Sequence, residues 1–488
     1  MVDDHVFPSR CVAVDFEVAS GLQRSGLAPT IRNTMSSNPR LWRNRSPGDL
    51  SVELDEVRAD DVAGAVERSA AAFPAWRGCG LEERKRMLRE SQERIRARQE
   101  ELARLIALEV GKPLREARLE LGAVLAKFDL AFADADRFVT DEMVTDGPHP
   151  ALVRRRARGP AAVIAPFNFP IHLGHGAAVA YLLAGNTVVF KPSPLAANVG
   201  AAYAAEMQAG LPDGVFELVQ GWGEVGREVC LHRAVRSVCF TGSVPVGTAL
   251  AKELAEDYSK SLALELGGIN SLIVCADADL DAAAVAAADG MCLTTGQRCN
   301  ATSRILVDRE VEEEFVKKLH LSLGRYEPGD PLMESTLLGP LVSAAAVERH
   351  LKFGGEAVPR VNGKAGHFVK PMVVRTNEGS LFGKHEAFCP VAEVRGFSSW
   401  DEAAALQGDL LFGLTASIFT RSDESFRELG DKLEVGNLYH NLPTTFSPST
   451  LPFGGWRASG NGRPGGRGFI RFAVEEQAVQ WRSPMTKT

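Results

Sequence analysis

The stretch 161–191 reads AAVIAPFNFPIHLGHGAAVAYLLAGNTVVFK, and its pattern decides the fold of the region around it. Two short apolar runs, at 162–165 and 187–191, stand on either side of a helix-like segment at 176–183. Apolar runs of this length predict buried strands, and two strands joined by a helix are typical of a parallel sheet. The stretch therefore predicts one strand–helix–strand unit.

The same alternation continues along the chain. Further apolar runs and the helix-like segments around them lie at 215–220, 237–241 and 261–266, and at 196–209, 225–232 and 246–258. A second alternating block extends from Ser271 to about Asn437. Near-continuous apolar strands between helices predict parallel sheets with helices on both faces. Two such blocks predict an α/β fold with a cleft between domains, where a cofactor and a substrate can meet.

The region before this sheet is helical and heavily charged. The acidic pair at 60–61 can cap a first helix, and 82–110 predicts one long amphipathic helix. Gly111 ends that helix, and a further helix is expected from about Leu114. The basic run ALVRRRAR at 151–158 is either a phosphate-attracting patch or a solvent-exposed strand, and we favour the strand.

The composition is that of a globular chain with more than one domain. Its 488 residues are 45% hydrophobic and 24% charged, and this length predicts two or three domains. The 55 Lys and Arg residues against 62 Asp and Glu residues give a net charge of -7, which offers no general reason to expect a nucleic acid partner. No apolar run reaches the roughly 18 residues that a membrane span needs, so no membrane partner is expected.

The first forty residues match no motif. They contain no apolar core and no small-residue cleavage site, so we do not interpret them as a signal peptide. Arg10 and Arg24 would suit a transit peptide, but Asp15 and Glu17 argue against it. We expect a loosely ordered or partner-clasping segment over 1–40 and a cytoplasmic protein.

The cysteines indicate free thiols. Without a CxxC pair, their spacing favours a reducing compartment over a disulfide framework, and no metal site is expected. They stand at positions 11, 79, 230, 239, 275, 292, 299 and 389.

Cys299 lies in TTGQRCN, at 294–300. A lone cysteine is most often a small buried hydrophobe. Here Gly296 gives the backbone freedom, and Arg298 places a cation one residue away, which favours a thiolate and hence a nucleophile. Cys292, on an apolar helix-like stretch, has neither neighbour and is expected in the core.

Three polar residues stand at or beside the ends of apolar strands. Glu265, in LALELGG, is either an exposed strand-end carboxylate or a buried one whose raised pKa would suit a base. Asn168, in PFNFP, is either a loop amide or an oxyanion donor. Lys191, in VVFKPS, needs a charged or hydroxyl partner if its side chain is buried.

Two glycine-containing turns suit a phosphate site as well as an ordinary turn. FTGS, at 240–243, ends a strand and leads into a helix that contains Gly247, and a helix N-terminus can hold a pyrophosphate. GWGEVG, at 221–226, matches a dinucleotide-binding pattern, but a plain strand-to-helix turn explains it equally well.

Nine segments in order resemble the aldehyde dehydrogenase superfamily, from about Asn44 to Ala478. The resemblance implies two Rossmann-like parallel-sheet domains and a small oligomerisation arm, in a homodimer or homotetramer. The segments are PFNFP, AGNTVVFKPS, FTGS, LELGG, GQRC, GHFVKP, EAFCPV, FGLTASIFT and LPFGGWRASGNGR.

The resemblance also divides the chain and assigns the site. It implies a cofactor-binding domain over 41–138 and 160–267, a catalytic domain over 268–445, and an arm over 139–159 and 465–488. The implied catalytic residues are the nucleophile Cys299, the general base Glu265 and the oxyanion donor Asn168. The implied NAD or NADP ligands are Lys191, Ser193, Thr241, Gly242, Ser243, Gly247, Glu386 and Phe388.

Two departures from the family pattern concern the cofactor side. Pro194 stands where members that prefer NAD usually have an acid that binds the ribose hydroxyls. Without that carboxylate, we expect NADP to be accepted. Cys389 stands where glycine is usual.

Within the superfamily, PFNFPIHL, GQRC and ASGNGRP resemble the succinylglutamate semialdehyde dehydrogenase subgroup. This implies an acidic semialdehyde such as N-succinylglutamate 5-semialdehyde, with Arg298, Arg457 and Arg463 as candidates to hold its carboxylates. The segments around Tyr439 and Trp456 depart from the subgroup, so a different aldehyde is an alternative. A CoA-acylating dehydrogenase is less favoured because that branch typically lacks the glutamate, and a non-catalytic homologue is a further alternative.

Overall fold

The computed structural model describes residues 40–144, 149–376 and 381–482. Apart from Arg40, the segment 1–40 lies outside the described residues, and so does the prediction made for it. In chain order the strands are β1 (Leu41–Ser46), β2 (Asp49–Arg58), β3 (Glu142–Val144), β4 (Ala151–Ala157), β5 (Ala161–Ile164), β6 (Val188–Lys191), β7 (Phe216–Leu218), β8 (Ser237–Thr241), β9 (Ser261–Glu265), β10 (Asn270–Val274), β11 (Thr302–Asp308), β12 (Glu356–Val361), β13 (Lys364–Lys370), β14 (Met372–Arg375), β15 (Val391–Phe397), β16 (Phe412–Gly413), β17 (Thr415–Phe419), β18 (Asn437–His440), β19 (Pro452–Phe453), β20 (Trp456–Arg457), β21 (Gly460–Asn461), β22 (Gly465–Gly466) and β23 (Val474–Gln480).

Helices separate most of these strands. They are α1 (Val62–Gly78), α2 (Leu81–Ala97), α3 (Gln99–Val110), α4 (Leu114–Phe138), α5 (His172–Leu183), α6 (Ala197–Ala209), α7 (Gly223–Leu231), α8 (Val244–Leu254), α9 (Leu280–Cys292), α10 (Glu312–Leu323), α11 (Ala344–Lys352), α12 (Trp400–Gly408) and α13 (Asp423–Gly430). Short 3₁₀ turns lie at Pro194–Ala196, Leu293–Gly296, Leu381–Gly383 and Phe469–Ala473. No helix in the described ranges is both long and apolar enough to cross a membrane.

Two six-stranded sheets carry the fold, as the alternation predicted. The first has the order β21-β9-β8-β5-β6-β7 and is parallel except for β21 at its edge. The second has the order β14-β15-β11-β10-β17-β18 and is parallel throughout. The central strands β6 and β10 are buried along their whole length. The α/β class with parallel sheets is therefore confirmed.

The prediction of one helix over 82–110 was wrong. The chain forms α2 and α3, which meet at Arg98, where φ is -107° and ψ is 15°. The Arg98 guanidinium binds Glu206 on α6, and the change of direction lets the apolar stripes of both helices reach the core. Gly111 adopts the left-handed conformation at the end of α3, as expected of a helix-ending glycine.

Helix α5 begins at His172, four residues before the predicted start at 176. Gly174 lies in its first turn, where an added Cβ would be 2.7 Å from a Phe190 ring carbon and 2.9 Å from the Ala165 Cβ. Glycine therefore allows the helix to pack directly on β5 and β6. The first turn of α5 contains residues of low helix propensity, so the sequence pattern did not include it in the predicted helix.

The basic run lies on a strand, as favoured, but only Arg156 of that strand is exposed, because it is a central strand. It forms β4, the central strand of a small antiparallel sheet of order β23-β4-β3. Arg155 pairs with Glu142 at 2.7 Å, and Arg158 pairs with Glu475 at 2.7 Å. The acidic partners on the neighbouring strands account for these arginines without a phosphate.

Candidate functional site

A cleft of about 670 Å³ lies where the loops after the first sheet meet the segments that carry Cys299 and Glu386. Part of its lining comes from the carboxyl ends of β5, β6, β8 and β9 and the residues that follow them. A parallel sheet brings these strand ends to one edge. Of the predicted catalytic and cofactor residues, all but Gly247 line it. They are Asn168, Lys191, Ser193, Thr241, Gly242, Ser243, Glu265, Cys299, Glu386 and Phe388.

The Cys299 thiol is half-buried in this cleft. Burial and the negative charges of Glu265 and Glu386 hold its pKa well above the usual range for a cysteine. Arg298 opposes the shift but does not reverse it, because its guanidinium is bound to the Glu116 carboxylate at 2.9 Å. The charge of Arg298 favours the thiolate, as the sequence predicted, but the opposing effects of burial and the two carboxylates are larger.

Glu265 is the last residue of β9 and is only 2% exposed. Neither of its carboxylate oxygens has a hydrogen-bond partner among the described residues. Burial raises its pKa to about 8, and the positive charge of Arg463 acts in the opposite direction. Of the two predicted alternatives, an exposed or a buried carboxylate, the structure shows the buried one.

Asn168 is fixed by one hydrogen bond close to the nucleophile. Its side-chain Nδ2 donates to the backbone oxygen of Gln297 at 2.7 Å, two residues before Cys299. Gln297 is itself held, since its side-chain oxygen accepts from the Val342 N–H at 3.0 Å. The second amide hydrogen of Asn168 has no partner in the described part of the chain and can point into the cleft.

Lys191 ends β6 with its side chain buried. The ammonium group donates to the Pro192 carbonyl at 3.1 Å, and burial lowers the pKa of the lysine to about 8. Its methylenes lie against Gly226, where an added Cβ would be 3.2 Å away. The GWGEVG segment forms a turn between β7 and α7. Its Gly223 also lines the cleft.

The backbone carbonyl of Pro194 binds the hairpin formed by β1 and β2. Its oxygen accepts from the Trp42 indole N–H at 3.3 Å and from the Asn44 side chain at 2.9 Å. The preceding Ser193 hydroxyl accepts from the Leu195 N–H at 3.3 Å. Pro194 lines the cleft without presenting a carboxylate to it.

The FTGS turn lies at the N-terminus of α8, where unpaired N–H groups can meet an anion. Ser243 is the residue that precedes the helix. Gly247 does not line the cleft, because it faces Leu266, with an added Cβ 2.5 Å from the Leu266 Cδ2. Its expected role as a cofactor contact was wrong, and close packing of α8 on the strand end explains the glycine.

Glu386 and Phe388 enter the cleft from the loop that precedes β15. The Glu386 carboxylate accepts from the Gly268 N–H at 3.0 Å, and burial raises its pKa to about 7. Phe388 has a left-handed φ of 49°, and its ring packs edge-on against Phe167 at 5.9 Å between centroids. Cys389 is buried beside them, and nothing in the structure explains a thiol at that position.

None of the three predicted substrate arginines lines the cleft. Arg298 binds Glu116, and its remaining terminal nitrogen has no hydrogen-bond partner among the described residues. Arg457 is exposed and donates to the Gly408 carbonyl at 2.9 Å, whereas Arg463 donates to the Gly436 carbonyl at 2.5 Å. The structure does not bring the three together as a carboxylate receptor.

Sequence reasoning missed three cationic or titratable residues of the cleft. Lys384 and His385 precede Glu386, and Arg349 comes from α11. Arg349 faces Glu386 closely enough that its charge lowers the pKa of that carboxyl group. Lys384 and His385 directly precede the EAFCPV motif, which could have indicated them as cleft residues. No motif surrounds Arg349.

Comparison with known proteins agrees with this arrangement. The Aldehyde dehydrogenase family model matches residues 37–479. The chain is 35% identical over 443 residues to N-succinylglutamate 5-semialdehyde dehydrogenase of Chromobacterium violaceum, covering 88% of each chain. It is 32% identical to 4-trimethylaminobutyraldehyde dehydrogenase B of Danio rerio, covering 88% of this chain and 86% of the relative.

A solved structure shares the whole fold. The indole-3-acetaldehyde dehydrogenase of P. syringae, solved with NAD+, superposes with a TM-score of 0.85 at 28% identity, covering 91% of this chain and 94% of the other. The two parallel sheets, the cleft and these matches agree, and the chain belongs to the aldehyde dehydrogenase family of NAD(P)-dependent enzymes.

Proposed function

We propose that the protein oxidises an aldehyde to its carboxylic acid through a thioester on Cys299, which water hydrolyses with Glu265 as general base. The observation that carries this proposal is the pairing of two groups in one cleft. One is a half-buried thiol, and the other is a buried carboxylate that no hydrogen bond among the described residues engages.

The first step is addition of the Cys299 sulfur to the aldehyde carbon. A carbon–sulfur bond forms, the carbonyl oxygen gains negative charge, and the thiol proton must leave. The Asn168 side chain and the Cys299 backbone N–H are the donors for that oxygen, and one such donor is commonly worth about 3 to 4 kcal/mol. The thiol proton passes to water in the cleft, so the Glu265 carboxylate stays available for the later step.

The residues of the cleft fit a nicotinamide dinucleotide. The α8 N-terminus at Ser243 suits the pyrophosphate, Lys191 suits the adenosine ribose, and Glu386 suits the nicotinamide ribose. When bound, the nicotinamide accepts the hydride from the substrate carbon. Phe388, held by Phe167, would close this end of the cleft.

The last step needs a base that a water molecule can reach. After the thioester forms, the sulfur carries no charge, so the remaining opposition to ionised Glu265 is its burial. The carboxylate can then take a proton from water as the oxygen attacks the thioester carbon, releasing the acid and the thiol. An acyl transfer to CoA would not need this carboxylate, and its presence therefore favours hydrolysis.

We further propose that the substrate is an acidic semialdehyde such as N-succinylglutamate 5-semialdehyde. The similarity to the Chromobacterium violaceum dehydrogenase supports this class. Arg298, beside Cys299, keeps one terminal nitrogen without a partner in the described ranges and is the best placed of the predicted arginines. The homodimer or homotetramer and the cytoplasmic location stay predictions.

The thioester mechanism is tested with Glu265→Gln and Cys299→Ala. We expect the alanine variant to produce no reduced nicotinamide. The glutamine variant should give a burst of about one turnover and then stall, because acylation proceeds and hydrolysis does not. In the native enzyme, carboxylate is the active form of the base, so deacylation should fall about tenfold for each pH unit below about 8. Steady full-rate turnover by the glutamine variant would remove Glu265 as the base.

Cofactor choice is tested at position 194. Native enzyme should use NADP with a kcat/KM at least comparable to that for NAD. Pro194→Glu restores a carboxylate that accepts ribose hydroxyls and repels a 2′-phosphate, so kcat/KM for NADP should drop about tenfold or more. Pro194→Gln, of similar size but uncharged, is the control. A native preference for NAD above tenfold contradicts the proposal.

Cofactor binding is also tested through the contact between Gly267 and Glu386. A Cβ at Gly267 would lie 2.1 Å from the Glu386 Oε2, so Gly267→Ala must displace that carboxylate. We expect the Kd for the nicotinamide cofactor, measured by titration calorimetry, to rise roughly tenfold. Gly122→Ala is the matched control, because nothing lies within 4 Å of its added Cβ. Equal affinities in the two variants would exclude Glu386 from cofactor binding.

The substrate class is tested with a panel of aldehydes. N-succinylglutamate 5-semialdehyde, 4-trimethylaminobutyraldehyde and an uncharged aldehyde of similar length carry an anionic, a cationic and a neutral tail. A carboxylate held by a guanidinium should give the anionic substrate a kcat/KM about tenfold or more above the others. A preference for the cationic aldehyde would reject the acidic class while leaving the mechanism intact.

A further inference from the structure

The turn that leads to Cys299 has an unfavourable backbone conformation. Thr294 and Thr295 have φ of 54° and 56°, and Gly296 follows with φ of 69°. Two consecutive β-branched residues in the left-handed region are strained, and such strain persists only where surrounding contacts over-determine it. The contacts that hold this turn are therefore part of what places the nucleophile.

Glu116, on α4, makes several of those contacts. Its buried carboxylate accepts from the Thr294 N–H at 2.9 Å and from the Thr294 hydroxyl at 2.9 Å. It also accepts from the Arg298 guanidinium at 2.9 Å, whose Nε donates to the same threonine hydroxyl at 3.0 Å. One carboxylate thus fixes both ends of the segment immediately before Cys299.

Glu120, one helical turn later, holds the loop that carries Asn168. Its carboxylate accepts from the Ile171 N–H at 3.2 Å and from the His172 N–H at 3.1 Å. It is paired with the Lys112 ammonium group at 2.5 Å, and both side chains are almost fully buried. This carboxylate therefore fixes the end of the PFNFP segment against α4.

The Phe169 ring links the two ion pairs. The Lys112 nitrogen lies 3.7 Å from the ring centroid, and the Arg298 guanidinium carbon lies 5.0 Å from it. Both cations are thereby kept beside their carboxylates, and Phe169 is the residue next to Asn168. Residues four apart on a helix lie on one face, so α4 presents both carboxylates to the two loops at a fixed spacing.

We propose that Glu116 and Glu120 are positioning residues that set the oxyanion hole, each fixing one of the loops that supply its two donors. This inference rests on the proposed function, in which the Asn168 side chain and the Cys299 N–H bind the developing oxyanion. Helix α4 acts as the rigid spacer between the two donors. Neither carboxylate touches the substrate, so both act through Asn168 and Cys299.

The test is a double-mutant cycle with Glu116→Gln and Asn168→Ala. Glutamine keeps the shape of the side chain but loses its charge and one acceptor, so the donors should drift apart. We expect kcat to fall about tenfold in the native background, with little change in KM for the aldehyde. In the Asn168→Ala background, where the hole is already broken, the same change should lower kcat less than about twofold. Glu120→Gln should behave in the same way.

A second readout separates the oxyanion hole from the thiol. Alkylation of Cys299 by iodoacetamide forms no oxyanion, so its rate should stay within about twofold of native in Glu116→Gln. Thr294→Val, which removes one hydroxyl contact and keeps the shape, gives a smaller drop of the same kind and serves if the glutamine variant does not fold. Asp129→Asn, an exposed charge loss on the same helix, is the matched control and should leave kcat unchanged.

Two results would overturn the proposal. One is an equal loss of kcat in the native and Asn168→Ala backgrounds, and the other is a loss of alkylation rate as large as the loss of kcat. Turnover that persists in Cys299→Ala would instead overturn the proposed function, so the two failures are distinguishable.

Discussion

The site depends on the parallel register of the first sheet. Because its strands run in one direction, β5, β6, β8 and β9 all end at the same edge. Each strand end delivers one polar residue or turn to that edge, and the segments that carry Cys299 and Glu386 complete the cleft. An antiparallel arrangement would send alternate strand ends to the other side of the domain and could not assemble this set.

Burial of Glu265 without a hydrogen-bonding partner is the costly feature of this arrangement. An unpartnered carboxylate at 2% exposure favours the protonated form, which is the origin of its raised pKa. The antiparallel edge strand β21 contributes to the burial, since Gly460 pairs with Glu265 and leaves no room for a side chain there. The fold thus keeps a weakly acidic base in place by covering it.

Local patterns predicted the elements whose signals lie within a few residues. The strand at 237–241 was predicted with its observed bounds, and the ordered motifs identified ten of the residues that line the cleft. The failures share a physical cause, which is contact with residues distant in the chain. Gly247 is a glycine because of Leu266, Arg298 is engaged because of Glu116, and the break at Arg98 follows from Glu206. None of these partners can be read from a local window.

The electrostatics of the cleft impose an order on the chemistry. Glu265 raises the pKa of the Cys299 thiol, so the thiolate and the carboxylate oppose each other when both are ionised. Addition to an aldehyde relieves this conflict, because the new negative charge moves from sulfur to an oxygen that hydrogen-bond donors can hold. The pKa of the thiol is therefore raised, and its reactivity toward an aldehyde depends on how well those donors are placed. In the proposed arrangement, the buried carboxylates of Glu116 and Glu120 on α4 set that placement, so a helix outside the cleft takes part in positioning the donors.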